Sequence, residues 1–163
     1  MALLKNEHCK TCYGWTWGPT GFTLPSGSGS NGVLLVGEAS GADEAEKGEP
    51  FVGRAGLRLS MMLQRGGMPR DDFRLHNCLS CQPPGNVLNH APYEAAVIAH
   101  CAPNLDATIE AMRPKAVVAL GEIPLQRLLG LPKEAKITPH RGYTFWSPQY
   151  GAWVIPTFHP SYL

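Results

Sequence analysis

The chain has 163 residues, is 44% hydrophobic and carries a formal charge of only +1. That suits one globular domain with a single core and excludes a strongly basic surface, so any contact with nucleic acid must come from a local patch. No apolar run approaches the roughly 20 residues a membrane helix needs, and Lys5, Glu7 and His8 stand where a signal peptide would be apolar, which points to a cytoplasmic protein.

Taken in chain order, Cys9-x-x-Cys12 is the first motif, and it is matched by Cys78-x-x-Cys81 and a fifth cysteine, Cys101. Without a secretory signal such cysteines favour metal or redox chemistry over disulfides. Two C-x-x-C pairs resemble a zinc ribbon with an overlong spacer, and four thiolates equally suit an iron–sulfur cluster. Residues 13–32 mix Trp15, Trp17 and Phe22 with a Gly/Ser-rich run and read as loop. Val33–Val36 is a short apolar, β-branched run closed by Gly37 and predicts a buried strand. The loop after it carries Glu38, Asp43, Glu44, Glu46 and Glu49, then Phe51 as a lone aromatic before a helix that starts near Arg54. It offers acids for chemistry beside a stacking face; the competing reading is a solvated acidic loop with Phe51 tucked into the core.

Ala55, Leu59, Met62 and Leu63 recur at helical spacing up to Gly66-Gly67. Phe73–Leu75 predicts a second strand leading to His76-Asn77, and Cys81 to Asn86, with two prolines and a glycine, predicts irregular backbone. Residues 92–112 predict one or two helices interrupted near Pro103, with Cys101 at the break, where helix amides would favour a thiolate. Lys115–Leu120 is a third strand closed by Gly121, Leu125–Leu129 a short helix ended by Gly130, and Trp153–Phe158 a fourth strand that delivers His159-Pro160-Ser161. Alternation of strand, polar motif and helix predicts an α/β fold whose central, largely parallel four-stranded sheet lies between helices. Right-handed crossovers put the carboxyl ends of parallel strands on one edge, so Glu38, Asn77, Gly121 and His159 are expected to converge there.

In order, Gly37-Glu38-Ala39-Ser40-Gly41, Gly48 to Gly56 (GEPFVGRAG), Asn77, Cys81-Gln82-Pro83-Pro84-Gly85-Asn86, Cys101 and Phe158-His159-Pro160-Ser161-Tyr162-Leu163 resemble the iron–sulfur, family 4 uracil-DNA glycosylases over nearly the whole chain. The resemblance implies a three-layer αβα sandwich, a [4Fe–4S] cluster on Cys9, Cys12, Cys81 and Cys101 with Cys78 to spare, and hydrolysis of the bond joining uracil to deoxyribose in DNA. It assigns Phe51 to stacking on the base, Asn77 to its Watson–Crick edge, His159 to its O2 oxygen, Glu38 to the attacking water and Glu44 to a second acid nearby. Gly37, Ala39 and Ser161 complete the substrate-binding set, and Leu163 matches a wedge that fills the gap left by a flipped base. Departing uracil leaves an oxocarbenium-like sugar and carries negative charge, so a carboxylate on one side and a donor on the other both suit the transition state.

Some positions depart from the family pattern. Ser40 stands where proline is usual and His76 where threonine is common, while Ser80 and Gln82 flank Cys81 in place of cations. Relatives continue beyond the position of Leu163, which leads us to expect that residues 1–163, one monomeric domain, belong to a longer polypeptide. A weak or inactive cluster-bearing DNA-binding module is the alternative to an enzyme acting on uracil-containing DNA.

Overall fold

A computed structural model describes residues 3–18 and 20–162. A short antiparallel pair, β1 (Leu3–Leu4) and β2 (Thr20–Phe22), brackets two 3-10 turns, Glu7–Thr11 and Tyr13–Trp17. Then come β3 (Val33–Ala39), α1 (Ala42–Lys47), α2 (Arg54–Arg65), β4 (Arg74–Leu79), α3 (Glu94–Met112), β5 (Ala116–Leu120), α4 (Glu122–Leu129), α5 (Ile137–His140), β6 (Phe145–Ser147) and β7 (Ala152–Thr157). No described helix is long and apolar enough to cross a membrane.

The main sheet runs β4-β3-β5-β7-β6, with the first four strands parallel and β6 antiparallel on β7. It therefore has five strands, not the expected four. The extra one is a three-residue edge strand, too short to show an alternation of its own, and its ladder to β7 is what holds it extended. The layers are those of an αβα sandwich. Leu34, Val36, Val117 and Ala119 pack with Val97, Leu105 and Ile109 of α3 and Ile123, Leu125 and Leu128 of α4. On the other face Leu35, Leu75 and Leu120 pack with Leu59 and Leu63 of α2. Covering both faces explains why these strands read as unbroken apolar runs.

Two further expectations are corrected. The second strand reaches past Leu75 to Leu79, so Asn77 lies inside β4, opposite Gly37 in register, rather than just beyond the strand's end. The polar residues His76 and Asn77 disguise this strand although both are buried. α3 also runs straight through Pro103. An interior proline costs a helix about 3 kcal/mol, whereas burying each of Val97, Leu105 and Ile109 contributes about 1.5–3 kcal/mol. The buried stripe wins, and Cys101 sits on it in mid-helix instead of at a helix start.

The turn between α1 and α2 is tightly built. Phe51 adopts a left-handed backbone (φ 57°), unusual for a bulky side chain. Its carbonyl lies against Gly56 in the first turn of α2: a Cβ there would stand 1.7 Å from Phe51 O. Gly56→Ala should therefore overpack the turn and lower stability by about 1–3 kcal/mol in urea unfolding; an unchanged midpoint would show that the two segments do not meet this closely.

Candidate active site

The carboxyl ends of β3, β5 and β7 open into a cleft of about 990 Å³ lined by Glu38, Ala39, Gly121, His159 and Ser161, with Asn86 from the loop after β4. Three of the four motifs expected to converge are thus in its wall. Asn77, the fourth, lies deeper, with Gly37 and Phe51, and none of these three lines the cleft itself. A Cβ on Gly37 would meet Asn77 Oδ1 at 2.3 Å and Phe51 Cζ at 2.4 Å, so the two side chains close over a bare Cα. The Phe51 ring stands 6.3 Å from the His159 ring between centroids, which joins this buried cluster to the cleft.

Asn77 is 3% exposed, and its side-chain amide has no hydrogen-bond partner among the described residues. A carboxamide carries a donor and an acceptor side by side, which a ligand's complementary edge can match. His76, its neighbour, belongs to the other face by strand alternation. Burial pulls its pKa down to about 4, with Arg74 adding to the shift; its Nε2 meets Ser80 Oγ at 3.3 Å and its Nδ1 has no partner among the described residues.

Two glutamates near the cleft have different surroundings. Glu38 forms no ion pair with any described residue, and burial, reinforced by Glu94 and Glu122, raises its pKa. Those two neighbours are themselves paired, Glu94 with Lys133 at 3.2 Å and Glu122 with Lys136 at 3.3 Å. Glu44 is tied down instead: Gly41 N–H donates to its Oε2 (3.1 Å) and Gly53 N–H to its Oε1 (2.9 Å), stapling the loop after β3 to the start of α2. His159 is kept neutral by burial, which lowers its pKa against the pull of Glu44. Its Nδ1 accepts from the backbone N–H of Ser161 (3.2 Å) and meets Ser161 Oγ at 2.8 Å. With Nδ1 accepting, the proton of the neutral ring sits on Nε2, which becomes a donor. Leu163 lies outside the described residues.

The cysteines form a second centre. Cys9, Cys12, Cys81 and Cys101 line one small enclosed cavity, while Cys78 is buried elsewhere in the core and does not reach it. Among the described residues no group of three or more His, Cys, Asp or Glu side chains converges as a single metal ion requires. A cubane cluster asks for a looser ring, because each ligand binds a different iron corner. The donor set and its surroundings fit that group. Ser80 N–H and Asn104 Nδ2 donate to Cys101 Sγ, each at 3.4 Å, and Gly14 N–H donates to Cys12 Sγ at 3.3 Å. Burial pushes the Cys81 thiol up to about 12, a cost of ionisation that bound iron would offset; Lys5, itself buried, acts in the same favourable direction.

Residues 25–163 match the family model of the Uracil DNA glycosylase superfamily. The chain belongs to that superfamily. A type-4 uracil-DNA glycosylase of Thermotoga maritima is 39% identical over 145 residues, 88% of this chain and 72% of that protein. One from Sulfurisphaera tokodaii is 34% identical over 168 residues, covering 99% and 74%, and one from Archaeoglobus fulgidus 36% identical over 133 residues, covering 79% and 65%.

Sequence reasoning missed the lysine-paired Glu94 and Glu122, which surround Glu38, and Arg58, whose Nη1 donates to Ser161 O at 3.2 Å. None stands in a recognisable motif; the fold brings Glu122 and Arg58 to the cleft wall and Glu94 within electrostatic reach of Glu38. For the cysteine centre, Cys81→Ser and Cys101→Ser should remove the broad blue absorbance of purified protein and its bound iron, while Cys78→Ala keeps both. Stoichiometric zinc in a colourless protein, or bleaching by Cys78→Ala alone, would contradict the ligand set.

Proposed function

We propose that this protein hydrolyses the N-glycosidic bond of uracil in DNA, leaving an abasic site for repair. The observation that carries the reading is the placement of the Asn77 amide, which has no hydrogen-bond partner among the described residues, against Phe51 over the bare Cα of Gly37. A carboxamide donates to uracil O4 and accepts from N3–H, whereas cytosine opposes it at both positions. The base must leave the helical stack to reach such a site. It would then lie against Phe51, with O2 facing His159.

The other groups fit the bond-breaking step. As the C1′–N1 bond breaks, negative charge develops on uracil; the Nε2–H of neutral His159 donates to O2, and Ser161 holds the ring in that tautomer. Glu38, the unpaired carboxylate in the cleft wall, orients the water whose oxygen bonds to C1′ and takes its proton. Glu44 holds the loop that presents Glu38, a task its two backbone amides support better than direct acid catalysis. Cys9, Cys12, Cys81 and Cys101 would hold a [4Fe–4S] cluster whose contribution is to tie the N-terminal turns to the loop after β4 and to α3. We read residues 1–163 as one domain, working as a monomer in a reducing cytoplasmic setting that keeps such thiols available.

Alkali-revealed cleavage of an oligonucleotide with a single uracil, against a thymine control, tests the activity. Glu38→Gln and His159→Ala should each lower the single-turnover rate by about 10²–10³ with a smaller effect on DNA affinity. The wild-type rate should fall on acidification through a pKa above that of an ordinary glutamate, since Glu38 acts as carboxylate and its pKa is raised. His159 has a lowered pKa and so titrates below an ordinary histidine. If Glu38 is the titrating base, the acid limb should vanish from the residual rate of Glu38→Gln; its persistence there would assign the titration to another group, His159 included.

A further inference from the structure

We propose that Arg70 is a positioning residue for the base-stacking face, holding the left-handed Phe51 turn against the entry of β4, the strand that carries Asn77. Arg70 opens the 3-10 turn Arg70–Asp72, four residues before that strand. Its Nη2 donates to the carbonyls of Phe51 (2.9 Å) and Pro50 (3.2 Å), and its Nη1 donates to Ser60 Oγ at 3.2 Å. Ser60 Oγ in turn donates to Gly56 O at 3.0 Å, so one guanidinium connects the Phe51 turn, the first turns of α2 and the approach to β4.

Several features set this contact apart from an ordinary surface arginine. The side chain is half-buried, forms no ion pair with any described residue, and directs its donors into the fold. The conformation it secures is one a phenylalanine rarely adopts, and the ring that results closes over Gly37 beside Asn77. Beyond these bonds the turn is held by the packing of the Phe51 carbonyl against Gly56 and of its ring in the core. A planar fork reaches the Phe51 carbonyl and the Ser60 hydroxyl at once, which a lysine ammonium on its single nitrogen does not reproduce. Arg70 touches neither cleft nor base; it acts through Phe51. The consequence for excision rests on the function proposed above, whereas the clamp does not.

Amide hydrogen exchange and single-turnover excision, measured on the full chain, test both parts. Arg70→Met should speed exchange at residues 51–56 at least tenfold while β5 stays as protected as in wild type. It should also slow uracil excision roughly tenfold to a hundredfold, the scale of a small misplacement. In a Phe51→Ala background the same change should cost nothing more, because the ring that Arg70 positions is gone. Arg70→Lys, which keeps the charge but loses the fork, should show a smaller version of both effects and serves in place of Arg70→Met if that variant fails to fold. Unaltered exchange at residues 51–56, or losses that add fully to those of Phe51→Ala, would overturn the proposal. If wild type releases no uracil, the functional reading fails, and exchange alone then decides whether Arg70 holds the turn.

Discussion

The crowding over Gly37 is the constraint on which the rest of the site depends. β3 and β4 pair so that Gly37 stands opposite Asn77, and the missing Cβ is the space into which the amide and the Phe51 ring fit. Any side chain at 37 would collide with both. A register slip of one residue would turn Asn77 to the far face and bring His76 or Cys78 to the Phe51 side. The continuous apolar contacts of β3 with layers on both faces make that slip costly, so packing far from the cleft fixes which polar group stands beside Phe51.

Charge is distributed with comparable economy. Glu38 and Glu122 line the cleft and Glu94 acts on Glu38 from behind it, and the latter two are paired with lysines. Glu38 keeps an unpaired carboxylate in a partly dry setting, where a base is stronger than in water. His159 is the opposite case, since burial favours its uncharged form and a backbone N–H selects the tautomer. A neutral donor there would, in the proposed reaction, stabilise charge as it develops on the base. The cysteine cavity lies on the α3 side of the sheet, apart from these groups, and its N–H···S contacts show a surround already organised for soft, anionic sulfur.

Much of this was legible from the residues, for identifiable reasons. Val33–Val36 and Lys115–Leu120 announce a two-sided parallel sheet because strands covered on both faces are apolar throughout, and the Glu38, Phe51, Asn77 and His159 motifs occur in an order that few other chains share. Legibility failed where tertiary contacts override local signals. β6 exists through its ladder, β4 hides behind buried polar residues, and α3 survives Pro103 through the burial of Val97, Leu105 and Ile109. The N-terminal turns carry little periodicity and take their form from 3-10 backbone bonds such as Cys12 N–H to Cys9 O. The roles of Glu44 and Arg70 were hidden because both act on backbone atoms, and a sequence does not say which carbonyls or amides a side chain will meet.

The selectivity of the Asn77 amide is the part of the account most directly open to measurement. A matched pair of hydrogen bonds to a base edge is worth about 1–3 kcal/mol of discrimination. Single-turnover excision by Asn77→Asp should lose most activity on uracil, whose O4 the carboxylate repels, and gain a trace on cytosine, whose amino group it accepts. Parental rates on uracil from both Asn77→Asp and Asn77→Ala, in folded protein with its iron retained, would contradict the assignment of Asn77 as the reader of the base.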